Sequence, residues 1–179
     1  MRALILALLV AFALPAATQE YVLAYERDVN ISEGPETVLV YFGASNCRPC
    51  YDDAFKATLE AAKVALFERT EAEGASFAVV GVAVDHSIEE GLAFLSQSGR
   101  FDEVVIGRNW FNSAVLAHVW RPEGIEDRVP GLPGIMVFER DMTMGETGIA
   151  AGEPTYLVEL VGAEDIPAWV EAGAPLDGE

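Results

Sequence analysis

The chain has 179 residues, of which 51% are hydrophobic, and it carries 29 acidic against 11 basic side chains for a formal net charge of −18. This length and composition suit one domain with one buried core. The negative charge argues against nucleic acid as a partner, because it repels phosphate backbones, and it favours a soluble surface that attracts basic partners.

The first 18 residues predict a signal peptide. Arg2 supplies a positive start, residues 3–14 form an unbroken apolar run, and residues 15–18 offer small side chains for cleavage. The run is too short for a helix that crosses about 30 Å of hydrocarbon. We therefore expect residues 19–179 to form a single exported domain, periplasmic or secreted, in which a dithiol depends on dedicated redox partners.

A buried-strand pattern that breaks into a Cys-x-x-Cys is the most informative part of the mature chain. Residues 38–42 are apolar or aromatic throughout, as in a strand that is buried on both faces. Beyond Cys50, apolar residues recur every three or four positions, which predicts an amphipathic helix with Glu60 and Lys63 on its polar faces. This arrangement of strand, turn and helix predicts that Cys47 lies at a helix N-terminus.

Cys47 and Cys50 are predicted to form a redox-active pair. The helix dipole and the charge of Arg48 favour a thiolate at Cys47, so its pKa should lie below the ~8.5 of a free cysteine. Cys47 would then be the nucleophile and Cys50 the resolving thiol. A purely structural disulfide would close too short a loop to remove much entropy. Zinc is disfavoured because His86 and His118 have no paired spacing.

The next two elements complete a crossover unit. Residues 77–84 predict a second buried strand, parallel to the first. Residues 87–99 begin with a capping box and predict a helix. In that helix Ile88, Leu92 and Leu95 form an apolar stripe.

The remaining elements are shorter. Residues 103–106 predict a strand and residues 111–120 another helix, and these are followed by a loop rich in proline and glycine at 121–134. Residues 135–138 and 155–160 predict an antiparallel pair joined by an irregular connection. A final helix is expected to begin near residue 163 and to end before Gly173.

Three segments of the chain resemble the thioredoxin superfamily. Pro49 before the second cysteine resembles the Cys-Gly-Pro-Cys of thioredoxin. Residues 131–138 resemble the Gly-Ile-Pro-Thr segment of the family, and residues 161–163 resemble its Val-Gly-Ala. The insertion between Asp85 and Arg121 is typical of exported thioredoxin-like proteins related to the cytochrome c maturation reductases.

The resemblance implies an α/β thioredoxin-like fold, a mixed central sheet flanked by helices, with an inserted helix-strand-helix unit before the cis-proline loop. It implies a cis peptide bond at Pro133 that lies against the two sulfurs and exposes the backbone of Leu132 to a substrate strand. Arg48 and Pro49 would also contact the substrate. We expect a monomer that needs no metal or cofactor.

The sequence also departs from thioredoxin. Tyr41 occupies the place of the buried acid that helps to deprotonate the second cysteine. Asp53 and Glu60 are candidates for that role only because they are close to Cys50 in sequence.

The function predicted from these observations is thiol-disulfide exchange with protein substrates, in the direction of reduction, with a dedicated redox partner in the same compartment. The alternative is a metal-binding or assembly protein that holds copper through the two thiolates, because soft thiolates suit Cu(I). A peroxidase of the peroxiredoxin type is disfavoured, because that chemistry requires a Thr-x-x-Cys and Ala44 occupies the threonine position.

Overall fold

The computed structural model describes Tyr25, residues 31–122 and residues 129–176. The predicted signal peptide and the middle of the proline-rich loop lie outside these residues. In chain order, the helices and strands of the described part are β1 Gly34–Gly43, α1 Asp53–Glu73, β2 Ser76–Ala83, α2 Ile88–Leu95, β3 Glu103–Ile106, β4 Gly134–Gly145, β5 Gly148–Ala151, β6 Thr155–Val161 and α3 Asp165–Glu171.

The strands form one mixed sheet. β1 is parallel to β2 and antiparallel to β4, and β3 extends the sheet beyond β2 in parallel. The start of β4 pairs with β6 and its end pairs with β5, both antiparallel. The order β2-β1-β4-β6, with helices packed against it, confirms the predicted thioredoxin-like α/β fold.

β1 is the middle strand of the order β3-β2-β1-β4-β5, and residues 38–42 within it are apolar on both faces. Every residue from Glu36 to Gly43 is buried. Pro35, which cannot donate to a ladder, lies before the pairing with β2 begins at Glu36. Burial on both faces explains why the strand reads as a continuous apolar run.

The long helix α1 packs its predicted apolar stripe onto the sheet, with Phe55, Leu59 and Leu66 buried. The prediction that Lys63 lies on a polar face of the helix was wrong, because its side chain is fully buried. Its Nζ donates to Glu60 Oε1 at 2.6 Å and to the carbonyl oxygen of Arg100 at 2.9 Å. Burial of a charge is tolerated when such partners replace water.

Helix α2 begins as predicted, with the Ser87 side chain accepting from the Glu90 N–H at 3.2 Å. Of the apolar stripe only Leu95 is buried, since Ile88 is 61% exposed and Leu92 is 50% exposed. The helix instead packs through the face of Gly91, where a Cβ would come within 2.5 Å of Ile106 Cγ2. Only glycine allows this close approach of α2 to β3.

The second helix of the predicted insertion does not form as a regular α-helix. Two short helical turns, Asn109–Phe111 and Val115–Val119, occupy its place. Asn112 separates them in an extended conformation, and its side chain accepts from the Val115 N–H at 2.9 Å and donates to the carbonyl oxygen of Ala83 at 3.3 Å. A local side-chain cap therefore replaces the continuous helix.

The connection between the two predicted C-terminal strands is not irregular. β4 continues to Gly145 and turns back as β5, so residues 142–151 form a hairpin that the polar sequence did not indicate. The antiparallel pairing of β4 with β6 and the terminal helix α3 are as predicted.

Candidate active site

The two cysteines lie on a turn directly after β1. The Cys47 N–H donates to the carbonyl oxygen of Ala44 at 3.0 Å, and the Cys50 N–H donates to that of Cys47 at 3.1 Å. The sulfurs form a disulfide with an S–S distance of 2.00 Å. Cys47 is 7% exposed and Cys50 is 0% exposed, so both residues are buried and only Cys47 keeps a small exposed fraction.

The position of Cys47 relative to the helix differs from the prediction. A single 3-10 turn, Pro49–Tyr51, follows the first cysteine, and Asp52 then adopts an extended conformation with ψ 130°. Helix α1 begins only at Asp53, and the Asp52 carboxylate accepts from its Ala54 and Phe55 N–H groups. The N-terminus of the long helix is therefore capped by Asp52, and the positive end of its dipole does not lie at Cys47.

The proline loop reaches the same edge of the sheet. The peptide bond between Leu132 and Pro133 is cis, as the resemblance implied. Gly134 then begins β4 and pairs with Phe42, the penultimate residue of β1. The register thus brings the Leu132–Pro133 bond and the dithiol turn together at the carboxyl end of β1.

The other predicted contact residues, Arg48 and Pro49, are exposed within the dithiol turn. Two cavities flank this region and share Trp110, which the inserted unit supplies. A mostly apolar cavity of about 210 Å³ follows residues 129–131 and β6, and a polar one of about 370 Å³ is lined by Asn46, Asp85 and Leu132 among others. Since Trp110 is remote in sequence from both cysteines, sequence reasoning missed it.

The residue in the place of the thioredoxin acid cannot act as a base. Tyr41 is fully buried, its ring is stacked on Phe101 with centroids 6.2 Å apart, and burial raises its pKa far above the ordinary value of a tyrosine. A phenol held neutral in this way does not take a proton from Cys50.

Neither acid suggested by proximity is free in the core. Asp53 is exposed at the start of α1, where it pairs with Lys56 at 3.2 Å. Glu60 pairs with the buried Lys63. The acid that is hydrogen-bonded to the dithiol turn is Asp85, which the sequence analysis did not single out.

Asp85 follows β2 and is 6% exposed. Its two carboxylate oxygens each accept from the Ser45 N–H at 3.1 Å, and Oδ1 accepts from the Ser45 hydroxyl at 2.5 Å. An acid directly after a buried parallel strand is the sequence signal that could have indicated it, because carboxyl ends of parallel strands meet at one edge.

The histidines are not paired with the dithiol. His118 stacks on Phe138 with centroids 5.1 Å apart, and its Nδ1 lies 2.9 Å from Tyr156 Oη, in agreement with a packed histidine. His86 Nε2 lies 2.7 Å from Asn109 Nδ2. Among the described residues, no three His, Cys, Asp or Glu side chains are grouped so that they could hold a metal ion, and no helix is long and apolar enough to span a bilayer.

The sheet order, the dithiol after β1 and the cis proline before β4 define a thioredoxin-like protein. No family model and no curated protein matches the chain.

Among solved structures, the chain is similar to the thioredoxin domain of a thiol-disulfide oxidoreductase from Bacteroides vulgatus, with 20% identity, coverage of 76% of this chain and 78% of the other, and a TM-score of 0.39. It is also similar to a thiol:disulfide interchange protein, DsbE, from Chlorobium tepidum, with 19% identity, coverage of 78% and 81%, and a TM-score of 0.38. A secreted disulfide oxidoreductase of Mycobacterium tuberculosis is similar at 16% identity, coverage of 76% and 81%, and a TM-score of 0.32.

Proposed function

We propose that the protein is an exported thiol-disulfide oxidoreductase that exchanges disulfides with protein substrates. The observation that carries the proposal is the Cys47–Cys50 disulfide on the turn after β1, in which Cys50 is fully buried and Cys47 keeps a small exposed fraction. Disulfide exchange needs one thiol that attacks and another that resolves, and the cysteine that keeps some exposure is the better candidate for the attacking thiol.

The proposed reaction transfers two electrons to the substrate. The Cys47 thiolate attacks one sulfur of a substrate disulfide, forms a mixed disulfide and releases the other substrate sulfur as a thiolate, which takes a proton. The Cys50 thiolate then attacks the Cys47 sulfur and releases the second substrate thiolate. The substrate ends as a dithiol and the protein as the Cys47–Cys50 disulfide, which a redox partner must reduce before the next cycle.

The direction that we propose is reduction. Strong oxidants of this kind stabilise their nucleophilic thiolate and hence their reduced form. Here the N-terminus of α1 is capped by Asp52, and the Asp85 carboxylate is bonded two residues before Cys47. Arg48 is exposed, where water screens its charge. These features make the Cys47 thiolate less stable than the thiolate of a cysteine at an uncapped helix N-terminus.

The proposed substrate surface follows from the same edge of the sheet. Arg48, Pro49 and the backbone of Leu132 would contact an extended substrate segment, with Pro133 closing the other side of the dithiol. The acidic chain would attract basic partners rather than nucleic acid. We further propose that residues 1–18 are removed on export and that the mature domain, residues 19–179, acts as a monomer in the periplasm or outside the cell.

Trapping of mixed disulfides tests the function. A Cys50→Ala variant retains the nucleophile and loses the resolving thiol, so it should accumulate proteins joined to it through Cys47. The captured substrates should be released by dithiothreitol. The matched control is Cys47→Ala at equal expression, which should capture none of the same set, and equal capture by both variants would contradict the assignment.

A further inference from the structure

Asp85 connects β2 to the turn that carries the dithiol. The three hydrogen bonds between its carboxylate and Ser45 engage both donors of that residue, and the carboxylate is almost completely buried. Ser45 lies two residues before Cys47, and the intervening chain is turned back by the bond from the Cys47 N–H to Ala44. Hydrogen bonds to a buried carboxylate are among the stronger ones in proteins, so this link restrains the turn.

The backbone of Asp85 makes a second link, to the inserted unit. Its carbonyl oxygen accepts from the Asn109 N–H at 3.2 Å. Arg108 and Asn109 have φ of 57° and 52°, a left-handed conformation that is uncommon outside glycine. The Asn109 side chain accepts from the Trp110 N–H at 2.7 Å. The loop that carries Trp110 is therefore attached to the same residue that holds the dithiol turn.

We propose that Asp85 is a positioning residue for the dithiol. Through its hydrogen bonds to Ser45 it holds the turn that carries Cys47, so that the two sulfurs stay close enough to form the disulfide. This inference rests on the proposed function, because it concerns the same pair of cysteines. Asp85 acts through Ser45 and does not itself contact the substrate.

The consequence is a shift in the redox equilibrium. A turn that is held in place keeps the two thiols at a high effective concentration, which favours the disulfide over two separate thiols. Loss of the hydrogen bonds between Asp85 and Ser45 frees the turn mainly in the dithiol form, where no S–S bond restrains it. The protein should then become easier to reduce.

Equilibration with glutathione measures this effect. In the reaction, the protein disulfide takes two electrons and two protons from two glutathione molecules and yields the protein dithiol and one oxidised glutathione. Asp85→Asn leaves one acceptor oxygen in place of two and removes the charge, whereas Ser45→Ala removes the hydroxyl donor and keeps the charge. The matched control is Asp102→Asn, another carboxylate bonded to β2, whose Oδ2 accepts from the Val79 N–H at 2.7 Å.

We expect the equilibrium to shift towards the reduced protein by roughly threefold to thirtyfold in Asp85→Asn, and by roughly twofold to fivefold in Ser45→Ala. Asp102→Asn should lower the unfolding temperature and leave the glutathione equilibrium unchanged. A lower unfolding temperature in Asp85→Asn with the parental equilibrium would mean a merely structural role and would overturn the proposal.

Two further outcomes also decide it. If the glutathione equilibrium shifts in Asp85→Asn but not in Ser45→Ala, the effect is due to the charge of Asp85. The proposed role of its hydrogen bonds to Ser45 is then wrong. If Asp85→Asn does not fold, Ser45→Ala decides alone, by a shift or its absence. The parent protein separates this inference from the proposed function: a parent that does not exchange with glutathione overturns both, whereas an exchanging parent with unshifted variants overturns only the role of Asp85.

Discussion

Phe42 pairs with Gly134 in the antiparallel register of β1 and β4. Because Phe42 comes five residues before Cys47 and Gly134 comes directly after Pro133, this one pairing brings two distant segments to the same edge of the sheet. A register slip would move the proline loop along the dithiol turn and turn every side chain of the strand to the other face. The buried faces of β1 oppose such a slip, so the core of the sheet also maintains the site.

The close packing around Gly43 predicts a large effect for a small substitution. A Cβ at this position would lie 2.5 Å from Phe94 Cζ and 2.7 Å from Tyr41 Oη, and both of these rings are buried. Gly43→Ala should lower the free energy of unfolding by about 1–3 kcal/mol, since the rings must move to make room. Urea unfolding measures it. Gly148→Ala, where a Cβ meets nothing within 4 Å, is the control and should change it by less than about 0.5 kcal/mol.

The ion pair of the buried Lys63 with the partly buried Glu60 predicts strongly non-additive effects of substitution on stability. Lys63→Met leaves the Glu60 carboxylate without its cation and should cost about 2–3 kcal/mol of unfolding free energy. Replacement of both residues by methionine should bring the stability back to within about 1 kcal/mol of the parent, because no buried charge is then left unpaired. A double-mutant cycle in urea measures the coupling. If the double variant loses as much unfolding free energy as the two single variants together, the predicted coupling is wrong.

His118 predicts a loss of stability at acid pH. Burial, and then the charges of Arg121 and Arg140, lower its pKa from 6.5 to about 4. Between these values the unfolded chain binds the proton and the folded one does not, so the free energy of unfolding falls as the pH drops through this window. In His118→Gln this decrease in the free energy of unfolding should be smaller by about 1–3 kcal/mol, a range that allows for the partial exposure of the ring.

Urea unfolding of parent and variant at both ends of the window measures the difference, in which the titration of the carboxylates cancels. His86→Gln is the control for the loss of an imidazole elsewhere in the chain. An unchanged pH dependence in His118→Gln would be inconsistent with a ring that stays neutral in the folded chain.

The reduction potential tests the proposed direction. With α1 capped by Asp52, the Cys47 thiolate lacks the stabilisation of a long helix end, so the pair should be reducing, with a potential below about −200 mV. Equilibration with a reference thiol pair of known potential gives the value. A potential near −120 mV, the range of a strong oxidant, would reverse the direction but leave the exchange chemistry intact.

Much of this protein could be predicted from sequence because the signals were local and strong. The apolar run of β1, the four-residue spacing of Phe55, Leu59 and their neighbours, and the proline-rich loop each specify an element by its own residues. The spacing of Cys47 and Cys50 predicted the pair that the structure joins. Errors arose where a local signal was weak or competed with packing, as in the polar hairpin of β4 and β5 and in the second helix of the insertion, which Asn112 interrupts.

The sequence by itself determined the strand–turn–helix unit around the two cysteines and their spacing, since hydrophobic periodicity and cysteine spacing can be read without knowledge of the rest of the chain. Only the tertiary structure decided that Asp52, rather than Cys47, caps the long helix, that Lys63 is buried, and that Asp85 holds Ser45. The reason is physical. Burial and hydrogen-bond partners depend on which distant residues the sheet register brings together, and 40 residues of chain separate Ser45 from Asp85.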